Sequence, residues 1–122
     1  MRFMSIVTSS QPPRPPSPEL MEAMNKLATR EITTGRMLDD GGLMPLDMGV
    51  RVTLTGGKLN VLDGPFVEAK EVVGGYAIFE VQSREEAVAL AVEFVQLHKD
   101  HMPGWEGTCE VRAIAGSHMQ GG

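Results

Sequence analysis

With 122 residues, 42% of them hydrophobic and 22% charged, the chain has the size and composition of one ordinary globular domain. At that length it is expected to bury roughly two-thirds of its unfolded surface without a disulfide framework. The formal net charge of −5 and the lack of any Lys/Arg cluster argue against direct nucleic-acid recognition, and no run approaches the roughly 18 apolar residues of a membrane span.

The amino-terminal stretch Met1-Arg2-Phe3-Met4-Ser5-Ile6-Val7 has one basic residue and an apolar run broken by Ser5. It is too short for a signal-peptide core, so a cytoplasmic location is expected. Residues 2–8 read as a strand buried on both faces and therefore central in a sheet. Five prolines between Gln11 and Pro18 enforce an extended connector. Its composition also suits a partner-binding peptide. Ser17 as cap and Pro18 at the first helical position open a helix over 18–33, with Leu20, Met24, Leu27 and Ile32 on its apolar face and Gly35 as its stop. Residues 39–45 read as a loop. Residues 50–55 alternate with period two, Gly56-Gly57 can take positive φ, and 58–62 resume the alternation, which predicts a β-hairpin.

A further strand is expected over 72–82. Ser83-Arg84-Glu85-Glu86 is a capping box in which Glu86 reaches back to Ser83. It opens a second helix that buries Ala87, Leu90, Ala91, Phe94 and Leu97, and Met102-Pro103-Gly104 ends it. Residues 108–114 form the last strand. The expected organisation is a single domain over 1–115 with a flexible tail at 116–122.

Strand, helix, hairpin, strand, helix, strand is an α+β, ferredoxin-like βαββαβ plan with an extra hairpin strand, an antiparallel sheet carrying two helices on one face. Ala77, Phe79 and Val81 point to one side of the sheet, Tyr76 and Ile78 to the other. Two helices cover only one side. A matching subunit is the economical cover for the second, so a homodimer is expected.

One stretch is more specific than the rest. Asp63-Gly64-Pro65-Phe66-Val67-Glu68-Ala69-Lys70-Glu71, followed by Gly74-Gly75-Tyr76, resembles the DGPF motif of the YCII-related family. Gly42-Leu43-Met44-Pro45 is similar to another part of that family's pattern, and Pro103-Gly104-Trp105-Glu106-Gly107 resembles a segment found in a subset of its members. The resemblance implies a dimeric α+β barrel with a cavity at the subunit interface. In the classical branch of the family a histidine on the first helix and an aspartate near the end of the second are the suggested catalytic pair. The first helix here has no histidine and the second ends in His101-Met102-Pro103-Gly104, so that pair is absent.

Candidate chemistry therefore rests on other residues. Asp63 precedes a proline by two positions, so the backbone N–H that a turn aspartate ordinarily bonds is missing. Its carboxylate either accepts from Phe66 or Val67 or faces a pocket as a general base. Glu68 and Lys70 share one side of an extended segment, either as a simple ion pair or as substrate-binding groups at a cavity entrance. Tyr76 either donates a hydrogen bond there or packs. His98 and His101 lie on the inner stripe of the second helix. They serve either the helix dipole or, with Asp63, as catalytic acid–base partners. Their spacing lacks a third metal ligand, so neither a metal nor a cofactor is expected. Cys109 reads as a small buried apolar side chain.

The leading functional reading is an enzyme that moves protons on a small organic molecule without a metal. The alternative is a non-catalytic ligand-binding or regulatory module, which the resemblance associates with alternative sigma factors.

Overall fold

The computed structural model describes residues 1–12, 14–64 and 71–116. In chain order the elements are β1 (Arg2–Ser9), α1 (Pro18–Thr34), β2 (Met37–Gly42), a single 3-10 turn (Leu46–Met48), β3 (Val50–Thr55), β4 (Lys58–Asp63), β5 (Val72–Glu80), α2 (Arg84–His101) and β6 (Thr108–Ala113). Four strands form an antiparallel sheet in the order β2-β5-β1-β6, with both helices packed against one side. This is the expected ferredoxin-like α+β arrangement. β1 is central, as its apolar run predicts, but only Phe3 and Ser5 are buried, while Met4 and Ile6 on the other side stay half-buried.

The segment expected as a loop over 39–45 is a strand for its first four residues. β2 forms the edge of the sheet and pairs with β5, Gly41 opposite Tyr76 and Gly42 opposite Gly75. Asp and Gly are poor strand formers, and tertiary packing overrides that preference. Gly41 is there for space: a Cβ would stand 3.0 Å from Tyr76 Cε1.

The hairpin forms with the expected turn, Gly56 at φ +57° and Gly57 at φ +76°, and pairs Val52 with Val61 and Leu54 with Leu59. It is not a fifth strand of the main sheet. β3 and β4 make a separate two-stranded sheet whose base is closed by Gly64 N–H donating to the Gly49 carbonyl at 2.8 Å.

Both helices begin where their caps predict. Ser17 Oγ accepts from Leu20 N–H at 3.1 Å and donates to the His101 carbonyl at 2.5 Å, so one hydroxyl caps α1 and ties it to the end of α2. α1 ends at Gly35, φ +81°. Ser83 Oγ caps α2 through Glu86 N–H at 3.2 Å. The reciprocal bond differs from expectation: Glu86 accepts from Gln82 N–H at 3.3 Å, and its other oxygen is held by Arg36 Nη1 at 2.9 Å.

The core cluster is Phe3, Phe79, Val81, Ala87 and Leu90. On α1 the expected apolar position Ile32 is 59% exposed, and its neighbour Glu31 is fully buried. The Glu31 carboxylate accepts from Arg30 Nε at 2.7 Å and from Arg36 Nε and Nη2 at 2.6 and 2.7 Å. Arg30 also forks onto both oxygens of Glu93, each at 2.7 Å. A chain of charges, Glu93–Arg30–Glu31–Arg36–Glu86, thus joins α1 to α2 at the end of the domain where β2 begins. Burial pushes the Glu31 carboxyl up, but the arginine hydrogen bonds outweigh it and hold it below the ordinary carboxylate range.

Candidate functional site

Beyond the core cluster the sheet and helices part. β1, β5 and β6 present the small side chains Ser5, Ala77 and Cys109 to that space, and Gly74-Gly75 present none. α1 and α2 face them with Leu20, Met24, Leu90 and Phe94. The result is a cavity of about 590 Å³, within the range that takes a small organic molecule. Its walls are mainly apolar. The Pro-rich connector contributes Arg14 and Pro16, and β2 contributes Asp40, so a cation and an anion both border it.

One wall is built by residues near the end of α2. His98 is 7% exposed and lies between the rings of Phe94 and Trp105, with centroid separations of 4.7 and 4.4 Å. Its Nδ1 sits 3.0 Å from the Phe94 carbonyl. A carbonyl only accepts, so Nδ1 carries the proton in the neutral ring and Nε2 presents a lone pair. Among the described residues Nε2 has no hydrogen-bond partner. Burial lowers the His98 pKa, against a smaller opposing effect of the Phe94 bond, so the neutral form prevails at neutral pH.

Trp105 is held by a loop that the connector secures. Gln11 donates to the Gly104 carbonyl at 3.0 Å and accepts from Glu106 N–H at 2.9 Å, while Arg14 donates to the Pro103 carbonyl at 2.9 Å. The prolines therefore deliver two polar side chains that clamp the wall behind His98. Gly107 completes it, since a Cβ there would lie 2.4 Å from the Trp105 ring.

Of the residues singled out from the sequence, His98 lines the cavity, and Tyr76 borders it from β5 while its position opposite Ile6 turns its side chain to the helix-free side of the sheet. Tyr76 donates to Asp39 Oδ2 at 3.1 Å, and that bond, followed by the charge of Asp39, raises the phenol's pKa. Tyr76 is thus a proton-bearing donor already engaged. His101 is half-buried on the last turn of α2 and is not among the lining residues. Asp63 is the last residue of β4, exposed, and also absent from the lining. Asp63 and His98 do not share a surface of the cavity. Glu68 and Lys70 lie outside the described residues. Cys109 lines the cavity half-buried, and burial raises its thiol pKa, which keeps it protonated. Among the described residues no three His, Cys, Asp or Glu side chains gather as a metal site, and no helix is long and apolar enough to cross a membrane.

Residues 1–96 match the sequence profile of the YCII-related domain. The chain belongs to the YCII-related domain family. No significant match to a curated protein was found. In this YCII-related domain the matched segment runs from β1 through most of α2. His98, Trp105 and Cys109 lie beyond it, so one wall of the cavity is built from residues that the profile does not describe. Sequence reasoning missed Arg14 and Asp40. Arg14 had a signal, a lone cation inside a proline run where a pure spacer needs none. Asp40 had none, because a loop reading assigns it no facing direction.

Proposed function

We propose that this YCII-related domain binds a small, largely apolar organic molecule in the cavity between sheet and helices, and that His98 is the group that exchanges a proton with it. The observation that carries the reading is the buried imidazole of His98 on the wall of a mainly apolar cavity, with its tautomer set by the Phe94 carbonyl. A neutral imidazole held this way accepts a proton from a bound carbon or oxygen acid without first losing one of its own. Arg14 and Asp40 supply opposite charges at the border to orient a polar end of the ligand. In this reading Asp63 and His101, neither of which lines the cavity, and Glu68 and Lys70 remain candidate supporting groups.

A second reading is binding without turnover, as a regulatory module. It is favoured by the absence of Asp63 from the cavity lining, which leaves His98 without the acid partner expected from the sequence. The finer assignments belong to the same proposal: membership of the DGPF-motif branch on the strength of Asp63-Gly64-Pro65-Phe66, a cytoplasmic location, and a homodimer in which the partner covers the sheet side bearing Met4, Ile6, Tyr76 and Ile78.

The single tryptophan makes the test direct, because Trp105 both lines the cavity and packs against the His98 ring. Its fluorescence is titrated with small carboxylates and lactones that carry an apolar body. A saturable change in the native protein, weakened in His98→Asn, is expected. Saturable binding that ignores His98→Asn, or no response of Trp105 to any ligand of this class, refutes the proposal. Conversion of a bound ligand that His98→Asn abolishes separates the enzyme from the binder.

A further inference from the structure

Among the described residues the most exposed large apolar side chains, Leu54, Leu59 and Val61, are on the hairpin. Register pairs Val52 with Val61 and Leu54 with Leu59, and period-two alternation puts Val50, Val52, Leu54, Leu59 and Val61 on one side. Arg51, Thr53, Thr55, Lys58, Asn60 and Leu62 take the other, and Asp63 stands opposite Val50 at the base of the apolar side. The five apolar side chains are 58, 64, 70, 72 and 72% exposed. A face this regular is what a strand pair shows when it is to be covered. An isolated two-stranded hairpin is at best marginally stable in water and needs a further layer.

We propose that the hairpin is an arm whose apolar face is buried on a second copy of this chain. Three observations favour that occupant. At roughly 100 Å² for an aliphatic side chain, the five residues present roughly 500 Å², the upper range of apolar patch that monomers leave in water. Two such arms in a symmetric pair, with the surface they cover, remove roughly 2,000 Å² from water, the size of a specific interface. The chain also carries a complement. The helix-free side of the main sheet offers Met4, Ile6 and Ile78, apolar and half-buried, as a second uncovered surface. Arms that reach the partner's sheet cover both surfaces in one isologous contact. A lipid surface fits less well, since the net charge is −5 and the hairpin's polar side adds few cations.

The inference extends the homodimer reading, and its test separates the two. Sedimentation velocity of the full chain is compared for the native protein, Leu54→Glu with Leu59→Glu, and Thr53→Glu with Asn60→Glu. Both doublets place two glutamates directly opposite each other on exposed positions of the same hairpin, one on the apolar and one on the polar side. The native protein and the Thr53/Asn60 doublet are expected to be dimers. The Leu54/Leu59 doublet is expected to dissociate, with a dimer Kd raised by roughly a hundredfold or more. A native dimer that the Leu54/Leu59 doublet leaves intact overturns the arm and leaves the homodimer standing. A native monomer overturns both. Equal dissociation by the two doublets overturns the assignment of the contact to the apolar face.

Discussion

Glu31→Gln tests the buried charge chain between the helices. The substitution keeps the side-chain volume and removes the negative charge that faces Arg30 and Arg36. Breaking a buried ion pair by neutralising one partner costs about 3–5 kcal/mol, because the remaining charge is left uncompensated. Here the remaining arginines are 47 and 32% exposed and keep Glu93 and Glu86, so water and those carboxylates recover part of the loss. A cost of about 2–3 kcal/mol is expected, a fall in Tm of roughly 8–12 °C for a domain of this size. The pH dependence has a definite sign. The Glu31 carboxyl is held below its ordinary range in the folded state, so its stabilising contribution is complete above the unfolded value of about 4.3 and is lost as pH falls through the lower folded value. The gap between native protein and variant in urea unfolding should therefore be full at neutral pH and narrow in acid. A variant within about 0.5 kcal/mol of the native protein at neutral pH, or a gap unchanged down to acid, refutes the reasoning.

His98 is expected to titrate below the ordinary imidazole value of about 6.5 because burial disfavours its cation, and the quenching of Trp105 across the acid range reports it. Because that pKa is depressed on folding, the contribution of His98 to stability is present above about 6.5 and lost as pH falls through the lower folded value; a Trp105 titration at or above about 6.5 contradicts the burial argument. Gly64→Ala would put a Cβ 1.9 Å from the Leu46 carbonyl oxygen, a backbone atom that cannot rotate away, so a loss of about 1–3 kcal/mol is expected in urea titration. An unchanged midpoint would show that the base of the hairpin is not packed as described.

Much of this protein is determined by local chemistry that the sequence carries openly. Ser17 with Pro18, Ser83 with Glu86, and Gly56-Gly57 between two alternating runs specify their helix starts and hairpin turn through bonds made within a few residues, so they are legible without knowledge of the rest. The strand β1 is legible for a related reason, since a short apolar run has few places other than the middle of a sheet. The Asp63 motif, likewise, was enough to suggest the family that the profile match over residues 1–96 establishes. What the sequence left undecided depends on distant partners. Asp39-Asp40-Gly41-Gly42 has the composition of a loop and becomes an edge strand because β5 offers an unpaired edge and Tyr76 occupies the space above Gly41. Glu31 looks like a surface residue of an amphipathic helix, and its burial requires Arg36, five residues along the chain, to fold back on it while Arg30 reaches Glu93 on the other helix. His98 was readable as inward-facing from helical spacing, but its role was not: Phe94 sets its tautomer and Trp105 closes over it only because Gln11 and Arg14, some 90 residues earlier, hold the Trp105 loop in place. Local propensity acts over one turn of chain, whereas the cavity is made of what the fold brings together, and that is a property of the packed layers alone.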